Sequence, residues 1–155
     1  MSNLSENLLA TARQRAETAP MAYAGAVTPV EAHALLQAEP QALIIDVRTA
    51  AERDWIGRVD VADAQQAAIE WNLYPGSTPN PVFLEQLRKI ARPEQVLLFL
   101  CRSGVRSRHA ATLASANGFA NCFDIFEGFE GDRDAAGHRK TVGGWCAAGL
   151  PWIGA

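Results

Sequence analysis

The stretch Cys101-Arg102-Ser103-Gly104-Val105-Arg106-Ser107 carries the most chemistry in this chain. It follows Val96-Leu97-Leu98-Phe99-Leu100, an apolar run that reads as a strand buried on both faces of a parallel sheet. It precedes a helical pattern with Ala110, Leu113, Ala114 and Asn117 on one line and Gly118 as the stop. Cys101 is therefore expected at the carboxyl end of a central strand, where open α/β sheets bind ligands. The N–H groups of the loop and of the helix start favour negative charge there. A thiol so placed is favoured as thiolate, the nucleophilic form. Arg102, Arg106 and Arg108 stand within residues 101–109 with no acidic neighbour, in a chain of net charge −3. That local reversal of sign attracts a small anion, and Gly104 keeps a Cβ out of its way. The residues read as a nucleophile, Cys101, in an anion-binding cradle built by Arg102, Ser103, Gly104, Val105 and Arg106. An inert buried thiol, the other reading of Cys101, leaves the basic turn after it without a purpose.

The elements that must position this loop alternate between strand and helix, which implies an α/β domain with a mostly parallel sheet. Asn3, with Glu6 three residues on, suggests a helix start, and Leu4, Leu8, Ala12 and Ala16 give it a narrow apolar stripe. Residues 1–25 are read as an N-terminal helical extension ending in a linker at Gly25, and residues 26–155 as the domain proper. Thr28-Pro29-Val30-Glu31 opens a helix to about Ala38, and Leu43-Ile44-Ile45 is a strand ending in Asp46. Glu52, Arg53 and Asp54 fall on a helical turn. Residues 57–66 read as loop, 67–71 as a short strand and 72–79 as turns. Asn80-Pro81 starts a helix that buries Val82, Phe83, Leu87 and Ile90. Residues 122–126 suggest a strand, 127–140 an exposed loop and 141–148 a short last helix.

At ~150 residues per domain, 155 residues make one domain. With 48% hydrophobic and 20% charged residues the chain is neither disordered nor a coiled coil. The longest unbroken apolar run, Val96 to Cys101, is too short to span a membrane, and the negative net charge speaks against general nucleic-acid binding. Three cysteines make no disulfide framework, and the N-terminus has no secretory pattern, so a reducing cytoplasm is expected.

Cys101 to Ser107 resembles the active-site loop of rhodanese-type sulfurtransferases, C-x-x-G-x-R-[ST], at the same strand-to-helix position. Asp46-Val47-Arg48 followed by Glu52 resembles the family's D-V-R-x-x-x-E segment. Gly144-Trp145 with Ala148-Gly149-Leu150-Pro151-Trp152 resembles its closing G-W…G-L-P segment. These blocks fall in family order over residues 28–152. The resemblance implies a rhodanese-like α/β fold, a five-stranded mostly parallel sheet flanked by helices on both sides. It also implies a thiosulfate sulfurtransferase-like enzyme. Cys101 would take sulfane sulfur from a small anionic donor such as thiosulfate as a persulfide, then pass it to a thiol, cyanide or a protein acceptor. No cofactor or metal is implied. The alternative function is a non-enzymatic sulfur carrier working with a protein partner, followed by a cysteine phosphatase or arsenate reductase of the same fold. Phosphatases place their Arg one position further from the Cys than Arg106 stands from Cys101, and a shorter loop frames a smaller cradle.

The chain departs from the family after Glu52, where Gly57-Arg58-Val59 and then Asp60-Val61-Ala62-Asp63 replace a G-H-I-P-G-A segment, and Gly128 to Lys140 reads as an insertion. Asp46, Arg48 and Glu52 are expected to pair with one another and hold loops. Arg102 should face solvent beside the mouth, and Arg106 should turn inward onto carbonyls or carboxylates. Trp71 belongs either at the mouth or in the core. His33, His109 and His138 lack metal-ligand spacing. Cys122 and Cys146 read as packing thiols, and Trp145 and Trp152 as packing anchors.

Overall fold

The computed structural model describes residues 1–154. Helix α1 (Asn3–Thr18) leads to β1 (Gly25–Val27), α2 (Pro29–Ala38), β2 (Leu43–Asp46) and α3 (Ala50–Ile56). Short strands β3 (Arg58–Val59), β4 (Gln66–Ala68), β5 (Asn72–Leu73) and β6 (Thr78–Pro79) follow, and then α4 (Phe83–Ile90). The chain continues through β7 (Leu97–Leu100), α5 (Val105–Ala116), β8 (Cys122–Ile125), α6 (Gly144–Ala147) and β9 (Trp152–Ile153). Five strands form one sheet in the order β1-β8-β7-β2-β4, every pair parallel.

The apolar run of β7 is explained by a layer on each face of the sheet. Leu98 and Leu100 join Ile44, Phe123 and Ile125 against Leu9 and Ala12 of α1, Leu35 and Leu36 of α2, and Trp145. Leu97 and Phe99 join Leu43 and Ile45 against Phe83 and Leu87 of α4 and Ala110, Ala111 and Ala114 of α5. Parallel register sets Asp46 opposite Leu100, so β2 and β7 end side by side. The loops that follow them, to α3 and to α5, thus meet at one edge. Capping boxes fix two helix starts: Thr28 with Glu31 opens α2, as expected, and Thr49 with Glu52 opens α3.

Several local expectations shift. The α1 cap is Ser2, whose hydroxyl accepts the Ser5 N–H, and the buried face is Ser5, Leu9 and Ala12, with Leu4 54% exposed. The helix docks its small residues on β1, and Gly25 is part of that strand, pressed against Ala12, and not a linker. Helix α4 begins at Phe83, because the Asn80 side chain caps the preceding turn by accepting the Val82 N–H. Of the four expected residues Phe83 and Leu87 reach the core, while Val82 and Ile90 stay 41% and 44% exposed. Residues 57–66 are not all loop, since β3 pairs antiparallel with β9, and residues 72–79 close into the β5–β6 hairpin. Strand β4 ends at Ala68, because beyond it the chain bends so that the Trp71 N–H donates to the Val47 carbonyl. The last helix is shorter than expected, Gly144–Ala147. Residues 128–131 are buried, not exposed, and their role belongs to the site. Among the described residues no helix is long and apolar enough to cross a membrane.

Candidate active site

Cys101 is the first residue past β7 and is 1% exposed. Gly104 takes φ 110 at the N-cap of α5, a left-handed conformation that folds the chain back over the thiol. Its N–H then donates to Cys101 Sγ at 3.1 Å. The Ser107 hydroxyl, fully buried on the first turn of α5, lies 3.2 Å from the same sulfur. Backbone N–H groups on the first turn of a helix have no intrahelical partner. The loop therefore offers donors to an anion at Cys101, and Arg102, Ser103, Val105 and Arg106 line the opening of about 300 Å³ in front of it.

The back of the loop is clasped. Phe129 N–H donates to the Cys101 carbonyl at 2.8 Å, and Glu130 N–H to the Arg102 carbonyl at 2.9 Å. Gly128 makes this possible at φ 69, where an added Cβ would lie 2.5 Å from the Arg102 carbonyl oxygen. With its carbonyls held behind, the loop turns its N–H side forward. The segment read as an exposed insertion thus begins as the support of the Cys101 loop, and only residues beyond Gly131 face solvent.

Arg106 turns inward as expected, and its partner is Glu52, through two bonds of 2.6 and 2.8 Å. Burial alone would push the Glu52 carboxyl up, but the Arg106 hydrogen bonds and charge, helped by Thr49, hold it at about 2. Glu52 does not join Asp46 and Arg48, as the sequence suggested. Those two pair with each other at 2.8 Å, and Arg48 also donates to the Gly57 carbonyl and lies over Phe129 at 4.3 Å. The parallel register ends β2 beside β7 and so brings α3 to the loop, while the Asp46 carboxylate stays on Arg48. Arg102 is exposed, as expected.

Ser107 closes the loop motif without standing among the cradle residues the sequence suggests, and the structure puts its hydroxyl on the sulfur. Its other neighbour is Asp124 of β8, a carboxyl 1% exposed whose Oδ1 has no partner. Burial pushes Asp124 up to about 6, against the opposing hydrogen bond from Ser107 and the charge of Arg108. An acidic residue inside an apolar strand, Cys122-Phe123-Asp124-Ile125, was the available signal.

The remaining candidates lie apart from the sulfur. Trp71 packs between Phe83 and His109. Cys122 pairs in register with Leu97, so at ~3.3 Å per residue it sits about 13 Å along the strand from Cys101, too far for a disulfide. Burial raises the Cys122 and Cys146 thiols to about 11 each. Trp145 is a fully buried anchor whose Nε1 donates to the Pro151 carbonyl, whereas Trp152 is 39% exposed, edges Phe129 and lies under Lys140 Nζ at 4.4 Å. Among the described residues no three His, Cys, Asp or Glu side chains are grouped as metal ligands. A larger groove of about 800 Å³ between α1 and α5 does not include Cys101 in its lining.

Residues 28–135 match the sequence profile of the rhodanese-like domain family. A protein of M. tuberculosis with a known crystal structure is 38% identical, at a TM-score of 0.78, over 86% of this chain and 99% of that one. An uncharacterized protein of Rickettsia conorii is 29% identical over 81% of this chain and 94% of its own length. The polysulfide-sulfur transferase homodimer of Wolinella succinogenes shares the fold at 21% identity and a TM-score of 0.61, over 99% of this chain and 95% of that one.

Proposed function

The chain belongs to the rhodanese-like domain family, and from that premise we propose that it is a sulfurtransferase in which Cys101 carries sulfane sulfur as a persulfide. The observation that carries the reading is the thiol of Cys101, seated at the floor of a basic loop and met by the Gly104 N–H and the Ser107 hydroxyl. Both donors stabilise an anionic sulfur, and each is placed before any ligand arrives.

A thiosulfate anion is drawn to the mouth by Arg102 and by the exposed ends of the loop dipoles. The Cys101 thiolate attacks its outer sulfur. A bond forms from Sγ to that sulfur, the bond within thiosulfate breaks, and sulfite leaves with the electron pair. The persulfide anion rests among the N–H groups of Ser103, Gly104, Val105 and Arg106. A thiol or cyanide then takes the outer sulfur and returns the electron pair to Sγ. Splitting the transfer into two displacements replaces one difficult step by two easier ones. Arg106 acts as a support of the loop, because both of its bonds to Glu52 hold it at the rim. The chemistry lies within residues 26–155, with α1 a docked extension. The cytoplasm suits it, since a reducing compartment keeps the three free thiols available.

Intact-protein mass spectrometry before and after thiosulfate tests the proposal. A gain of one sulfur atom that a thiol reverses, and that Cys101→Ser abolishes, is expected. A Cys101→Ser protein that still loads sulfur would overturn the assignment. Stable loading with negligible turnover to small acceptors would make the chain a sulfur carrier for a protein partner, and aryl-phosphate hydrolysis lost in Cys101→Ser would make it a phosphatase.

A further inference from the structure

Beside the Cys101 opening lies a second cleft of about 330 Å³, within the range of small-molecule sites. Helix α3 and the β5–β6 hairpin form its walls. Arg102 and Arg106 close its inner end, and both also line the Cys101 opening, so the two spaces adjoin. Trp55 of α3 and Tyr74 of the hairpin face each other edge to face at 5.9 Å. They are 70% and 57% exposed, and neither packs into the two core clusters. A paired tryptophan and tyrosine left in water next to a nucleophile present an L-shaped apolar wall with no internal use.

The charges around this wall are unequal. Glu52 and Arg106 neutralise each other. Arg102 makes no ion pair among the described residues. The cleft therefore offers one aromatic wall and one free cation, both within reach of the opening above Cys101. Thiosulfate as donor and cyanide as acceptor have no apolar part to set against the wall, so neither gives the cleft anything to do.

Resting on the sulfurtransferase reading, we propose that this cleft is the acceptor subsite and that it takes an aromatic thiol bearing a carboxylate, with its ring against Trp55 and Tyr74 and its carboxylate on Arg102. The acceptor enters as thiolate, having given its proton to water. Its sulfur attacks the outer sulfur of the Cys101 persulfide. The new sulfur–sulfur bond forms as the bond to Sγ breaks, the electron pair returns to Cys101, and an aryl persulfide leaves. No oxidant or reductant is consumed.

The test compares 2-mercaptobenzoate with cyanide as acceptors after thiosulfate loading, in the wild-type chain, Trp55→Ala and Tyr74→Ala. Ring contacts of this kind correspond to about tenfold in an equilibrium. The ratio of kcat/KM for 2-mercaptobenzoate to that for cyanide should fall about tenfold in each variant, through KM. An unchanged ratio in both variants overturns the subsite. Binding of the S-methylated probe, 2-(methylthio)benzoate, read by tryptophan fluorescence, decides the subsite independently of turnover. Saturable quenching that Trp55→Ala and Arg102→Gln weaken supports it even if Cys101 never loads sulfur, an outcome that would sink only the sulfurtransferase reading. Absence of saturable binding to the wild-type chain sinks the subsite even if loading succeeds.

Discussion

Replacing Glu52 by Gln takes the counter-charge from Arg106 while keeping the shape of the site. Gln retains a carbonyl oxygen for the Thr49 N–H, so the start of α3 survives. What is lost is the charge that pairs with Arg106 at 2.6 and 2.8 Å. The carboxyl lies at about 2 instead of 4.5, a displacement that corresponds to an upper bound of ~3 kcal/mol. The Arg106 and Glu52 side chains remain 22% and 19% exposed, and solvent screening reduces the expected contribution to ~1–2 kcal/mol. A carboxyl held low in the folded chain contributes fully above its unfolded value and loses that contribution as pH falls toward about 2. Urea unfolding at pH 7, 5 and 3 measures this. Glu52→Gln should be less stable than wild type by ~1–2 kcal/mol at pH 7, and the gap should narrow by pH 3, because the carboxyl of the unfolded chain takes up a proton below 4.5 while the folded one stays ionised down to about 2. A gap that stays constant from pH 7 to pH 3 would refute the charge pairing and leave only a difference in packing.

Two further substitutions read the support of the loop from behind. Gly128→Ala forces φ 69 on a residue with a Cβ and drives that Cβ to 2.5 Å from the Arg102 carbonyl. It should destabilise the fold by ~1–3 kcal/mol in urea unfolding and slow sulfur loading of Cys101, and a variant equal to wild type in both would show that the clasp is not needed. Asp124 lies at about 6, above its ordinary 3.8, so wild-type stability is full below about 3.8 and falls as pH rises through about 6, by roughly 3 kcal/mol. Asp124→Asn removes that loss, and its stability relative to wild type should rise between pH 4 and pH 7, a change that parallel pH profiles would contradict.

What could be seen in the sequence was local. The Thr28, Pro29 and Glu31 start of α2 depends on contacts within one turn and appears as expected. The apolar β7, the Cys101 loop and the stop at Gly118 are adjacent in sequence and act together in the structure. What could not be seen depends on which distant segments the sheet register brings together. Glu52 and Arg106 are 54 residues apart, and nothing near either one chooses its partner. The choice follows from Asp46 standing opposite Leu100, which puts α3 rather than another element beside the loop. Residues 128–131 fall in a charged, glycine-containing stretch that reads as exposed loop, yet the Cys101 and Arg102 carbonyls need donors, and a glycine at Gly128 is the one residue type that can pass so close. The proposed nucleophile is thus written in seven consecutive residues, Cys101 to Ser107, whereas its loop is held by Glu52 and Gly128, which reach it only once the parallel sheet has formed. A variant that preserves the loop motif but alters the register of β2 against β7 would keep every residue of the motif and lose the site.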